Sequence, residues 1–155
     1  MKVGIDIGST TIKSVVLDDA KKIIHKEYSR HFSEISAALT NTLQSLKNIV
    51  GDAKFKIALA GSAGMGIAKK ISLPFVQEVI ACQTAVEEFI PQTDTVIELG
   101  GEDAKIIYLK GAPEVRMNGV CAGGTGSFID QMASLLQTDA SGLNEYAKNY
   151  KSIYP

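Results

Sequence analysis

The sequence predicts an α/β protein built on a ribonuclease-H-like unit, one complete copy followed by the first part of a second. Apolar patterns run strand, strand, strand, helix, strand from Met1 to Ala60, which is the opening of such a unit. The N-terminal stretch also recurs, gapless, near the middle of the chain. The recurrence is short: the later strands and helices of the first copy have no counterpart before Pro155.

Met1 to Leu17 contains two Val/Ile-rich runs around Gly8-Ser9-Thr10-Thr11, the pattern of a β-hairpin. Gly8 admits close approach of another group, Ser9, Thr10 and Thr11 bring hydroxyls, and Lys13 brings a cation. Such a turn suits a phosphate. Asp6 at the strand end suits a hydrated Mg²⁺ travelling with it. Lys22 to Ser29 reads as a third strand, with His25 and the following His31 expected to face solvent. Phe32 to Val50 reads as a helix capped by Ser33, with Ile35, Leu39, Leu43, Leu46 and Val50 on its apolar face and Gly51 as its stop. Lys54 to Ala60 reads as a central strand, and Gly61-Ser62-Ala63-Gly64 follows at the sheet edge that ligand sites favour. Met65 to Ile71 reads as a short helix broken by Pro74. Val76 to Phe89 reads as a longer one, with Val76, Val79, Ile80 and Val86 inward and Cys82 a buried thiol. The boundary is expected between Ile90 and Thr93, giving domains 1–91 and 92–155.

Asp94 to Ala112 lies on the first stretch with a shift of 92: Glu98 falls on Asp6, Gly100 on Gly8 and Lys105 on Lys13. A repeat of this length is a domain-sized unit used twice. Two such hairpins across a cleft would hold one phosphate tail from both sides, with Asp6 and Glu98 flanking the metal. Pro113 to Val120 reads as the third strand of the second unit, Gly126 to Leu136 as its helix with Phe128, Ile129, Met132, Leu135 and Leu136 apolar, and Gly142 to Tyr150 as a last short helix. A full second unit would need roughly another hundred residues, so the chain is expected to be a piece of a longer polypeptide.

Hydrophobic residues make up 45% of the 155, enough for a core, and a net charge of −1 makes no case for nucleic acid or an anionic membrane. No apolar run approaches the roughly 18 residues of a membrane helix, and no secretory pattern precedes the first strand. Two cysteines make no disulfide framework, so a reducing cytoplasm is expected. Cys121 stands in Cys121-Ala122-Gly123-Gly124-Thr125-Gly126-Ser127, just ahead of a helix start that favours a thiolate. The glycines there let backbone approach a phosphate or a cofactor. An incidental cysteine in a turn fits the spacing equally well. One cysteine cannot hold an iron–sulfur cluster, which takes about four thiolates.

Three segments together resemble a known family: Asp6-Ile7-Gly8-Ser9-Thr10-Thr11 with Lys13, Glu98 to Lys105, and Cys121 to Asp130. They are similar to the activators of 2-hydroxyacyl-CoA dehydratases, which group with benzoyl-CoA reductase ATPase subunits in the superfamily of actin, chaperone ATPases and sugar kinases. The resemblance implies an actin-like ATPase fold and a homodimer bridged by one [4Fe–4S] cluster, with Cys121 matching the first of two cysteines per subunit. It further implies that ATP hydrolysis drives a low-potential electron into a partner acyl-CoA dehydratase or reductase. Asp6 and Glu98 would be catalytic, ordering Mg²⁺ and the attacking water. Gly8, Ser9, Thr10, Thr11 and Lys13 would bind the nucleotide from one side, and Gly100, Gly101, Glu102 and Lys105 from the other, with Gly123 and Gly124 close by. Glu98 in place of the commoner Asp, Gln83 in place of His, and Gly61-Ser62-Ala63-Gly64 in place of Thr-Gly-Tyr-Gly are departures, and point toward the activator-like modules of long fused polypeptides. A metabolite kinase of the same superfamily, with no use for Cys121, and a non-catalytic nucleotide-binding module are the alternatives. The 155-residue piece alone is expected to bind ATP weakly or not at all.

Overall fold

The computed structural model describes residues 1–111, 114–119 and 124–153. The chain forms two compact units, Met1–Thr93 and Asp94–Pro155.

In the first unit β1 (Lys2–Ile7), β2 (Thr11–Leu17) and β3 (Ile23–Arg30) form an antiparallel meander. Helix α1 (Ile35–Val50) then returns the chain so that β4 (Lys56–Ala60) runs parallel to β1, giving the order β3-β2-β1-β4. Alternation puts Val3, Ile5, Ile7, Ile12, Val16 and Leu59 on one face, where they form the core with Leu46 and Val50 of α1. Helix α2 (Gly64–Lys70) adds Ala68. Leu59 donates to the Pro74 carbonyl and accepts from Val76 N–H, so the chain before α3 (Glu78–Phe89) extends the sheet by a single parallel bridge at Phe75.

The second unit repeats the meander with β5 (Thr95–Leu99), β6 (Ala104–Tyr108) and β7 (Glu114–Met117), followed by α4 (Gly126–Leu135) and α5 (Ala140–Ala147). Asp139 caps α5, accepting from Gly142 N–H at 2.9 Å. Among the described residues no helix is long and apolar enough to cross a membrane.

Several local expectations are corrected. Ser33 does not cap α1: it lies at φ +67 and its N–H is taken by His31, leaving Glu34 at the cap position without a side-chain bond. Thr42, buried, takes the inward place expected of Leu43, which lies at the edge beside Phe55. Val76 precedes α3, Ile80 points outward, and Cys82 is half-buried, because α3 buries none of its residues fully. His25 is half-buried because it pairs with Val16, whose side chain points into the core. His31 is buried, 4% exposed, because its ring is used by the turn it faces. In α4 only Ala133 is buried, while Phe128, Ile129 and Leu135, and Leu136 just past its end, are exposed.

Candidate functional site

The first hairpin closes where Gly8 N–H donates to the Thr11 carbonyl at 2.9 Å. Antiparallel register sets Asp6 opposite Lys13, and their side chains meet at 2.7 Å. The same register sets Tyr28 beside Lys13, whose ammonium lies 5.9 Å from the ring centre. Both members of the Asp6–Lys13 pair stay partly exposed, and an exposed pair of this kind is worth about 0–1 kcal/mol. Lys13 is therefore held at the turn by a bond weak enough to be exchanged for a phosphate. Ser9 is exposed, Thr10 is half-buried, and Thr11 is buried.

Two more segments brace this turn. Parallel pairing sets Asp6 opposite Ala60, so the next residue, Gly61, arrives directly at the end of β1. Gly61 has φ +88, and a Cβ there would overlap Asp6 Oδ1 and the Ile7 carbonyl. Ala63 N–H donates to that same carbonyl at 3.0 Å, and the Ser62 and Ser9 hydroxyls lie 3.5 Å apart. From the other side His31 reaches the Gly8 carbonyl through Nε2 at 3.0 Å. On the sheet face away from the core, a cleft of about 670 Å³ lies between the strands and α3. Gly4, Ala58, Ala60, Ala85 and Phe89 line it, and Asp6 and Lys13 are part of its wall.

The second hairpin has the same construction. Glu98 pairs with Lys105, and Gly100 N–H donates to the Asp103 carbonyl at 2.8 Å, each position 92 beyond its partner in the first unit. The charge arrangement differs. Asp103 stands where the first turn has Thr11, and it approaches Lys105 Nζ to 2.9 Å, with Glu98 at 3.8 Å. Lys105 is 3% exposed, so this cation sits inside an acidic pair. Gly101 is half-buried and Glu102 exposed. The Gly100 and Gly101 carbonyls accept from Gly126 N–H and Ser127 N–H at 2.9 and 2.8 Å. That docking explains Gly126: a Cβ there would press on the Gly100 carbonyl at 3.2 Å. Its close approach thus serves the hairpin backbone, where a phosphate or cofactor was expected. Gly124 has φ +70 with open space around its Cβ position. Cys121 and Gly123 lie outside the described residues.

Among the described residues no group of three or more His, Cys, Asp or Glu side chains is placed to hold a metal. His31 and Gly61 are the functional candidates that residue patterns missed. Gly61 was signalled only as part of a glycine-containing turn after a strand, and His31 by nothing local.

The chain is 31% identical to the (R)-2-hydroxyglutaryl-CoA dehydratase activating ATPase of Acidaminococcus fermentans, over 97% of this chain and 59% of that protein. It is 31% identical to the 2-hydroxyisocaproyl-CoA dehydratase activator of Clostridioides difficile, over 94% of this chain and 56% of that one. The chain thus spans less than two thirds of the length of these relatives. The solved structure of the latter activator with bound ADPNP superposes with a TM-score of 0.82 at 28% identity, over 99% of this chain and 58% of that chain. The Acidaminococcus protein, as component A of its dehydratase, superposes with a TM-score of 0.79 at 26% identity, over 99% of this chain and 60% of that chain. Both likenesses establish the actin-like, ribonuclease-H-like ATPase fold. The model of the BadF/BadG/BcrA/BcrD ATPase family matches residues 3–151, and the chain belongs to that family.

Proposed function

We propose that this chain carries the phosphate-binding hairpins of an ATP-dependent activator of a 2-hydroxyacyl-CoA dehydratase or a related CoA-substrate enzyme. The observation that carries the reading is the acid–glycine–lysine hairpin, used twice in identical register. On this reading residues 1–91 are the first subdomain and 92–155 the start of the second. Ser9, Thr10 and Lys13, with the Gly8 and Thr11 backbone, hold phosphates from one side. Gly100, Gly101, Glu102 and Lys105 hold them from the other. Asp6 and Glu98 would order Mg²⁺ and the attacking water, since phosphoryl transfer depends mainly on positioning and charge stabilisation. A Mg²⁺ on Asp6 would release Lys13 to the phosphate, because the two now share one short ion pair.

Cys121 would supply one thiolate per subunit to a [4Fe–4S] cluster bridging a homodimer, with Gly123 and Gly124 lining the turn. The cluster would supply the low-potential electron passed to the partner enzyme.

Purification of the full-length polypeptide without oxygen tests the reading. The protein is expected to be brown and to hydrolyse ATP. Cys121→Ser should lose the colour and keep nucleotide binding. Asp6→Asn should keep the colour and lower ATP turnover about 100-fold. Lys13→Met should weaken ATP binding about tenfold, the usual loss of one charged hydrogen bond. Colourless wild-type protein that phosphorylates a metabolite would overturn the activator in favour of a kinase.

A further inference from the structure

His31 lies just past the end of β3, and both of its ring nitrogens are engaged. Ser33 N–H donates to Nδ1 at 3.1 Å, so Nδ1 carries no proton. The proton is then on Nε2, which donates to the Gly8 carbonyl at 3.0 Å. The backbone N–H of His31 donates to the Thr10 carbonyl at 3.3 Å. One residue therefore ties down two of the carbonyls in the Gly8–Thr11 turn.

The peptide geometry gives this a consequence. No peptide bond among the described residues is cis, and in a trans peptide the C=O and the following N–H point opposite ways. Holding the Gly8 carbonyl toward the ring directs Ser9 N–H away from it, on the exposed side of the turn. Holding the Thr10 carbonyl fixes the Thr10–Thr11 plane in the same manner. The segment that carries the ring is itself under constraint. Phe32 and Ser33 both have left-handed φ, +46 and +67, which residues with a Cβ seldom adopt. Phe32 is 81% exposed, so packing does not hold it there. The ring's bond to Ser33 N–H and the 2.6 Å bond from Glu34 N–H to the His31 carbonyl do.

We propose that His31 is a positioning residue for the first hairpin, fixing through Gly8 the peptide whose N–H faces the phosphate. The phosphate part of this statement rests on the function proposed above. The hold on the turn does not.

Two near-isosteric substitutions separate the ring's two bonds. Glutamine places an amide N–H near the Nε2 position and can still reach Gly8. Asparagine places a carbonyl oxygen near Nδ1 and can serve only Ser33. In the 155-residue chain, His31→Gln should leave amide exchange at Gly8 close to that of the unsubstituted protein. His31→Asn and His31→Ala should speed it about fivefold relative to Ala60 in β4, the loss of one hydrogen bond. Normalising to Ala60 removes any general loss of stability. Imidazole ¹⁵N shifts should show the proton on Nε2. Rescue by asparagine and not by glutamine, or no change at Gly8 with any substitution, would overturn the proposal. In the full-length polypeptide, His31→Asn should raise KM for ATP about fivefold with kcat little changed, and His31→Gln should not. If that polypeptide hydrolyses no ATP, the function proposed above fails while the exchange result still judges the hold on the turn.

Discussion

Gly61→Ala is expected to cost the first unit at least about 3 kcal/mol, a large share of the roughly 5–14 kcal/mol that a unit of its size possesses. Two effects add. At φ +88 a side chain meets the left-handed penalty of about 1–2 kcal/mol. The new methyl would also overlap Asp6 Oδ1 and the Ile7 carbonyl. The carboxylate is a side-chain end and can turn aside, but the carbonyl is backbone, held between the strand end and Ala63 N–H, which donates to it at 3.0 Å. The chain would relieve the overlap by lifting the 61–64 loop from the end of β1, which also moves the carboxylate proposed to order Mg²⁺. Gly66→Ala is the control within α2. It meets nothing within 4 Å and has an ordinary φ, so it should stabilise by about 0.5–1 kcal/mol. Urea unfolding followed through the amide signals of Ile5 and Leu59 measures both. A loss below about 1 kcal/mol for Gly61→Ala would mean that the loop does not rest on Asp6 in solution.

What the sequence revealed, and what it did not, divides by the range of the interaction. The hairpins were legible because strand alternation, the small turn residues and the Asp6–Lys13 and Glu98–Lys105 spacings are all local, and the repeat doubled the signal. The ribonuclease-H-like fold was legible from element order, since three antiparallel strands and a returning helix leave few places for the next strand. Ser33 looked like a cap by residue type, but its N–H is bonded to the His31 ring and its φ is left-handed, outside the extended backbone from which a side chain caps a helix. Helical spacing found the apolar stripe of α4 and could not show that most of it would stay exposed. Gly61 meets Asp6 only because β4 lies parallel to β1, and His31 meets Gly8 across 23 residues. Neither contact has a signature in its own neighbourhood.

The repeat offers a second test with a large effect, because it supplies its own comparison. Ile7 and Leu99 hold the same place in the two hairpins, one residue before the turn glycine, facing Ile12 and Ala104 across the ladder. Residue type and register are alike, and only the surroundings differ. Ile7 is 0% exposed, on the sheet face that Leu46, Val50 and Ala68 complete as a core. Leu99 is 64% exposed. Ile7→Ala removes buried methyl groups and leaves a cavity that the rigid sheet cannot close, so a loss of about 2–5 kcal/mol is expected. Leu99→Ala removes atoms already in water, so its effect should stay within about 0.5 kcal/mol. Measured in the same urea series, the two substitutions compare truncation of a large aliphatic side chain at one place in the repeat, buried in one copy and exposed in the other. Near-equal losses would show that Leu99 is covered in solution, and the second hairpin would then carry a core of its own on the Ile97 and Leu99 face.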